Sequence, residues 1–177
     1  MPGQTRGVPG TPSPLEQLNA APAQDAERAL LVCLHSLRWA LRMAGHRPYP
    51  DLASLLAASD EAAYDLSPEE LAEALAAEAL PALPEGTYSA AHTALNAAHA
   101  AYETKFGHAF VICLDGVPPA EHLDRILESM RSRLANDQDE ERAVAAEELR
   151  RLAQGRLTRL AGDAGCANSH HDAAPGI

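Results

Sequence analysis

Among the eight histidines of this 177-residue chain, one group has a spacing suited to chemistry: His92, with Asn96 and His99 four and seven positions further on. Separations of four and three put these three side chains on one face of a helix. His92 falls in the first turn of that helix, directly after the Pro- and Gly-containing segment LPALPEGTY. Exposed N–H groups and the helix dipole can hold an anion there, and an imidazole beside a bound anion can take or give a proton. The same spacing also describes a solvated helix face.

The other histidines offer less. No HxxxH or HExxH pair occurs, and His170-His171 lies in a terminal stretch, so no metal site is expected. His35 and His46 flank a helical stretch and read as surface or capping groups, and His122 sits on the solvent side of its pattern. The chain has no GxSxG, GxGxxG or P-loop motif. Cys33 falls on an apolar stripe and Cys113 in an apolar run. Both read as core residues, since a reactive thiolate needs an electropositive, partly exposed setting. Together with Cys166 they are odd in number and widely spaced, which suggests neither a disulfide framework nor a CxxC site.

The elements that must position these groups are helices. Apolar residues make up 46% of the chain and aromatics 4%. The apolar content is mostly Ala and Leu, side chains that lose little rotamer freedom in a helix. Ala26, Leu30, Cys33, Leu34 and Leu37 form one stripe, followed by Trp39, Leu41 and Met43 before a break from Gly45 to Pro50. Asp51 opens the next helix. Ser67-Pro68-Glu69-Glu70 has the form of a capping box, so a helix starts there and runs to about Glu78. Ser89 caps a longer helix with Ala91, Leu95, Ala98, Tyr102 and Phe106 as its buried stripe, ending at Gly107. Phe110 to Cys113 reads as short, buried and extended. Helices then follow from Pro118-Pro119 and after Asn136. The last has an acidic first turn and a basic far end, the order that suits its dipole.

The expected fold is therefore all-α, one domain of about seven helices over residues 14–162, with flexible tails at 1–13 and 163–177. Asp and Glu exceed Lys and Arg by 25 to 14, a formal charge of −11. That balance argues against a nucleic-acid partner, which needs a basic face. No apolar run has the length of a membrane span and no signal-peptide core is visible, so the expectation is a soluble, cytoplasmic protein.

The segment Tyr102-Glu-Thr-Lys-Phe-Gly-His-Ala-Phe-Val-Ile-Cys113 resembles the OHCU (2-oxo-4-hydroxy-4-carboxy-5-ureidoimidazoline) decarboxylases of urate degradation. Further matches are Leu18-Asn19, Cys33 with Ser36 and Arg38-Trp39, and Arg47-Pro48-Tyr49. Towards the end come Arg133-Leu134, Asn136-Asp137, Glu147 and Arg156-Leu157. The resemblance spans roughly residues 15 to 161. It implies an all-helical homodimer that needs no cofactor and converts the small molecule OHCU to (S)-allantoin with release of carbon dioxide.

The chain departs from the family pattern where the family keeps its chemistry. The family's His-Pro motif is replaced by Glu78-Ala79-Leu80-Pro81, and its Ser-x-x-Glu-Gln by Ser89-Ala90-Ala91-His92-Thr93. The two changes amount to an exchange, with Glu where His stood and His where Glu stood. On this reading His92 is the principal acid/base and Glu78 its orienting partner. The resemblance makes Ser89 and Arg156 substrate contacts, and assigns ring recognition to the backbone of Val111, Ile112, Cys113 and Leu114. His108, beside that segment, is a second candidate proton carrier. Arg38, Trp39 and Arg47 are assigned to packing. The alternative is an inactive relative that binds a ureide or purine metabolite, or a partner protein, in the same cleft.

Overall fold

The computed structural model describes residues 10–83 and 89–162. Among these the fold is all-helical, as the composition predicts. Its elements are α1 (Pro14–Ala20), α2 (Ala23–Cys33), α3 (Leu37–Gly45), α4 (Leu52–Tyr64), α5 (Pro68–Ala76), α6 (Ser89–Phe106), α7 (His122–Arg133) and α8 (Gln138–Ala161), with a 3₁₀ turn at Pro119–Glu121. Residues 1–9 and 163–177 of the expected tails, Cys166, His170 and His171 lie outside the described residues.

Three local expectations change. Among the described residues there are eight α-helices where about seven were expected, because α1 forms behind a capping box of Ser13 and Glu16. The stripe from Ala26 to Met43 belongs to two helices, since Leu34 and Ser36 adopt extended backbone between them. Leu37 consequently faces solvent. Helix α5 ends at Ala76 and leaves Glu78 just past its last turn. The capping box of Ser67 and Glu70 forms as read.

Helix α8 runs through the middle of the fold and packs on α1, α2, α4 and α5. Its buried residues, Glu141, Ala145, Leu149, Ala153, Leu157 and Ala161, recur every four positions. Because a helix turns about 100° per residue, such a row drifts about 40° at each step, so the buried face winds around α8 and meets different neighbours along its length. The small alanines let those neighbours approach closely. Trp39, 1% exposed, fills the space between α3 and α4 and donates its indole N–H to the Ser59 carbonyl.

The core has two parts. One joins α1 to α5 with α8; the other gathers Leu95, Tyr102 and Phe106 of α6, Ile126 and Met130 of α7, and Phe110 and Ile112. The extended stretch lies between them. Phe110 and Ile112 turn to the second cluster while Val111 enters the first, the alternation expected of extended backbone.

A buried polar network joins these parts. The Arg133 guanidinium donates to Glu141 Oε1 from Nε at 2.9 Å and Nη2 at 2.6 Å, and to the Val111 carbonyl from Nη1 at 2.6 Å. Tyr102 donates its hydroxyl to Glu141 Oε1, and Asn136 Nδ2 reaches Oε2 at 2.9 Å. The guanidinium also lies over the Phe110 ring, 4.4 Å from its centre. Burial and the bond to Glu141 raise the Tyr102 phenol well above its usual range, so it stays protonated as a donor.

A second set of bonds fixes the N-terminal end. Arg47 donates to the carbonyls of Ala44, Leu18 and Ala21, groups left over where α3 and α1 end. Asn19 and Tyr49 exchange two bonds, from Asn19 Nδ2 to the Tyr49 carbonyl and from the Tyr49 amide to Asn19 Oδ1. The packing role expected of Arg47 is what its contacts describe.

Removing one member of the buried network leaves the opposite charge without compensation. Glu141→Ala should lower unfolding free energy by about 3–5 kcal/mol. Arg133→Ala added to it should cost less than the sum of the two single changes, and urea denaturation of the three variants measures both effects.

Candidate active site

Where α5 stops, Glu78 turns toward α8 and meets Arg156. The contact is bidentate: Nη1 to Oε1 at 2.7 Å and Nη2 to Oε2 at 2.9 Å. Arg156 Nη1 also donates to the Cys33 carbonyl at 3.1 Å, at the end of α2. Three elements thus converge on one guanidinium. The Glu78 side chain is 10% exposed and that of Arg156 28%. The bond to Glu78 raises the Arg156 pKa, outweighing the opposing effect of partial burial.

A cleft of 310 Å³ opens over the pair, lined by Leu31, Val32, His35, Ala77, Glu78 and Arg156. Its chemistry follows from the donor count. A guanidinium has five N–H donors. Among the described residues three are used, two on Glu78 and one on Cys33, which leaves Nε–H and one Nη2–H. These share an edge of the planar group and form a second fork for a carboxylate or ureido oxygen.

The extended segment passes close by. Arg159 Nη1 lies 3.3 Å from Asp115, and at Gly155 an added Cβ would sit 1.9 Å from the Asp115 carboxylate. The charge of Arg156 is felt at both Cys33 and Cys113. Within the segment, the Val111 carbonyl is taken by Arg133, and the Cys113 amide donates to Glu148 Oε2 at 2.7 Å. Ile112 and Cys113 line a separate cleft between α7 and α8 that also includes Arg133 and Glu148. Leu114 is half-buried and its carbonyl accepts from the Val117 amide.

The structure brings together only some of the residues singled out in the sequence. Glu78 and Arg156 are in direct contact. Both oxygens of Glu78 are taken by Arg156, not by His92. Ser89 opens α6 and His92 sits in its first turn; both are exposed and neither lines the Glu78–Arg156 cleft. His99 is turned inward, where Nε2 accepts from the Phe110 amide at 3.2 Å. His108 stacks edge-on against Tyr102 and lines another cleft, between α5 and the ends of α6 and α8. His122 bonds through Nε2 to the Val117 carbonyl, so it is a half-buried structural group rather than a solvent-side one.

Three residues were given no part in these arrangements by the sequence. Glu141 and Arg133 carried a readable signal, since both fall on the apolar periodicity of their helices. His35, read as a surface or capping group, carried none for the cleft, because its place there depends on how α2, α5 and α8 meet. Among the described residues no group of three or more His, Cys, Asp or Glu side chains is arranged to hold a metal ion, and no helix is long and apolar enough to cross a membrane.

The chain is an all-α fold with an arginine–carboxylate pair under a small cleft, and comparison with known proteins gives it a family. The OHCU decarboxylase profile matches residues 19–86 and 82–158, and the chain belongs to that family. No curated protein matches the chain. Among solved structures the fold is similar to a crystal structure of (S)-allantoin synthase, with a TM-score of 0.66 and 20% identity, over 84% of this chain and 53% of that one. It is also similar to a crystal structure of OHCU decarboxylase in the presence of (S)-allantoin, with a TM-score of 0.66 and 22% identity, over 81% of this chain and 100% of that one. The chain spans about half the length of the (S)-allantoin synthase.

The Cys33 thiol beneath this site is pushed up to about 11 by burial, which outweighs the opposing charges of Arg156 and Arg159. At pH 8 only about one thiol in a thousand is then ionised, so Cys33 should react with iodoacetamide about a hundredfold more slowly in the folded protein than in urea. Mass-spectrometric mapping of alkylation against pH checks this, with the native rate still rising above pH 9.

Proposed function

We propose that this protein is a lyase of urate degradation that decarboxylates OHCU to (S)-allantoin without a cofactor and works as a homodimer. Family membership supports a role in urate degradation. The observation that carries the finer reading is the Glu78–Arg156 pair, formed between two residues that the sequence singles out for this chemistry and set under a cleft of small-molecule size.

The reaction asks for three things: an anchor for the carboxylate, a hydrogen-bonding group at the substrate's hydroxyl, and a proton for the carbanion left when carbon dioxide departs. Arg156 supplies the anchor through its free Nε/Nη2 edge. Glu78 fixes the plane of the guanidinium and offsets its charge, so the cleft holds its anion by directed bonds rather than by net attraction. In a chain with a formal charge of −11, such a local donor edge is what an anionic substrate needs. The resemblance gives the hydroxyl to His92, with Ser89 beside it at the start of α6, and the ring to the backbone of Val111 to Leu114, bordered by His108. These groups lie outside the lining of the Glu78–Arg156 cleft, so a substrate held by Arg156 must extend beyond it to meet them.

The test is circular dichroism of allantoin as urate is oxidised by urate oxidase and hydroxyisourate hydrolase, with and without this protein. OHCU decays unaided to racemic allantoin, so chirality separates catalysis from background. The parent should give a rapid (S) signal. Arg156→Lys should raise KM by about tenfold or more, because an ammonium cannot bridge both Glu78 and a carboxylate through a planar fork. His92→Ala should lower kcat by about 10²-fold or more. Racemic product at the background rate would instead identify an inactive relative that binds a ureide, a purine metabolite or a partner protein in this cleft.

A further inference from the structure

The cleft over the Glu78–Arg156 pair contains an imidazole with no part in the chemistry above. Of its six lining residues, three are apolar and two form the ion pair; the sixth is His35. It belongs to the connection between α2 and α3, and that connection is firmly held. Leu34 is extended and 1% exposed, while Ser36 is extended, fully buried, and accepts from the Trp39 amide through its hydroxyl. Alternation of extended backbone sends the side chain between two buried neighbours outward. On this face of the molecule, outward is into the cleft. Leu31 and Val32, on the last turn of α2, give the cleft an apolar wall beside it.

A decarboxylation has a last step that neither member of the ion pair is suited to perform. When carbon dioxide leaves, the electron pair of the broken carbon–carbon bond stays on the substrate. One proton must then reach the ring carbon from one face if a single enantiomer is to form. A guanidinium does not give up a proton in proteins. Glu78 has both oxygens bound to Arg156. An imidazole moves protons near neutral pH, and His35 is exposed, so solvent can reload it.

We propose that His35 is the proton donor that sets the configuration of the product, an inference that rests on the decarboxylase reading. The electron pair of the broken carbon–carbon bond shifts toward the neighbouring ureido-bearing carbon, whose imine nitrogen takes up a proton. As the hydroxyl gives up its proton and becomes the carbonyl, the imidazolium protonates the ureido-bearing carbon, forming its carbon–hydrogen bond, and the neutral imidazole regains a proton from water. His92 serves the hydroxyl and His35 the carbon, so the two imidazoles act on different atoms.

The two roles separate in one experiment that follows carbon dioxide release and the ellipticity of allantoin in the same reaction, for the parent and for His35→Gln. Carbon–carbon cleavage precedes the proton transfer, so the variant should release carbon dioxide within about threefold of the parent rate. Its ellipticity per mole of allantoin should fall by about half or more, because water protonates the carbanion from either face. A variant that keeps the parent's full ellipticity overturns the assignment of His35 and leaves the decarboxylase reading standing. Loss of release and ellipticity in equal measure also overturns it, since that marks a residue needed for binding or cleavage. A parent that gives only racemic allantoin at the background rate overturns the decarboxylase reading and this inference with it.

Discussion

A fully buried carboxylate can persist only where its charge is met, and Glu141 is where this fold meets that condition. Arg133, Tyr102 and Asn136 all donate to it. Each comes from a different part of the chain: the end of α7, the C-terminal part of α6 and the turn before α8. The same guanidinium holds the Val111 carbonyl and covers the Phe110 ring. Leaving any of these groups unpaired in a dry interior costs more than surface contacts can return, so α6, α7, α8 and the extended segment must adopt one arrangement. Isolated apolar packing of Leu and Ala, which tolerates sliding, would define that arrangement less sharply.

From this anchor the extended segment runs out to Asp115, beside Gly155 and Arg159. The site is built at the other end of the same long helix. α8 therefore carries the structural charge pair near its start and the Glu78–Arg156 pair near its end, about four turns apart. The two pairs differ in exposure, and the difference suits their roles. Arg133 and Glu141 are sealed, with side chains 7% and 0% exposed. Arg156 is open on one edge. A guanidinium with its end-on fork filled and its side edge facing a cleft is oriented before any ligand arrives, so little rotamer freedom remains to be lost on binding.

The exchange of Glu and His read at positions 78 and 92 has a definite physical outcome at one of the two places. Glu78 in contact with Arg156 forms a neutral pair, where a histidine would leave the guanidinium's charge uncompensated. His92 begins a helix that follows residues outside the described range, and its neighbourhood is not defined by the Glu78 contact. The cleft instead contains His35, which the sequence pattern assigned to the surface. It is at the surface, and the surface there is concave.

The sequence by itself determined the helical class, the capping box at Ser67, the start of the last helix after Asn136, the helix around Tyr102, and the extended run at Phe110 to Cys113. Each follows from local causes: rotamer entropy, hydrogen bonds between residues three apart, and apolar spacing. Family likeness, carried by the order of motifs along the chain, was legible for the same reason. Tertiary structure alone decided that α2 stops at Cys33 so that Ser36 can cap α3, that Glu78 pairs with Arg156 across 78 positions, and that His35 shares their cleft while His108 lies in another. These are contacts between side chains whose separation in sequence carries no periodicity. They exist because helices packed by apolar burial bring distant charges within reach, and only the direction of that packing says which ones.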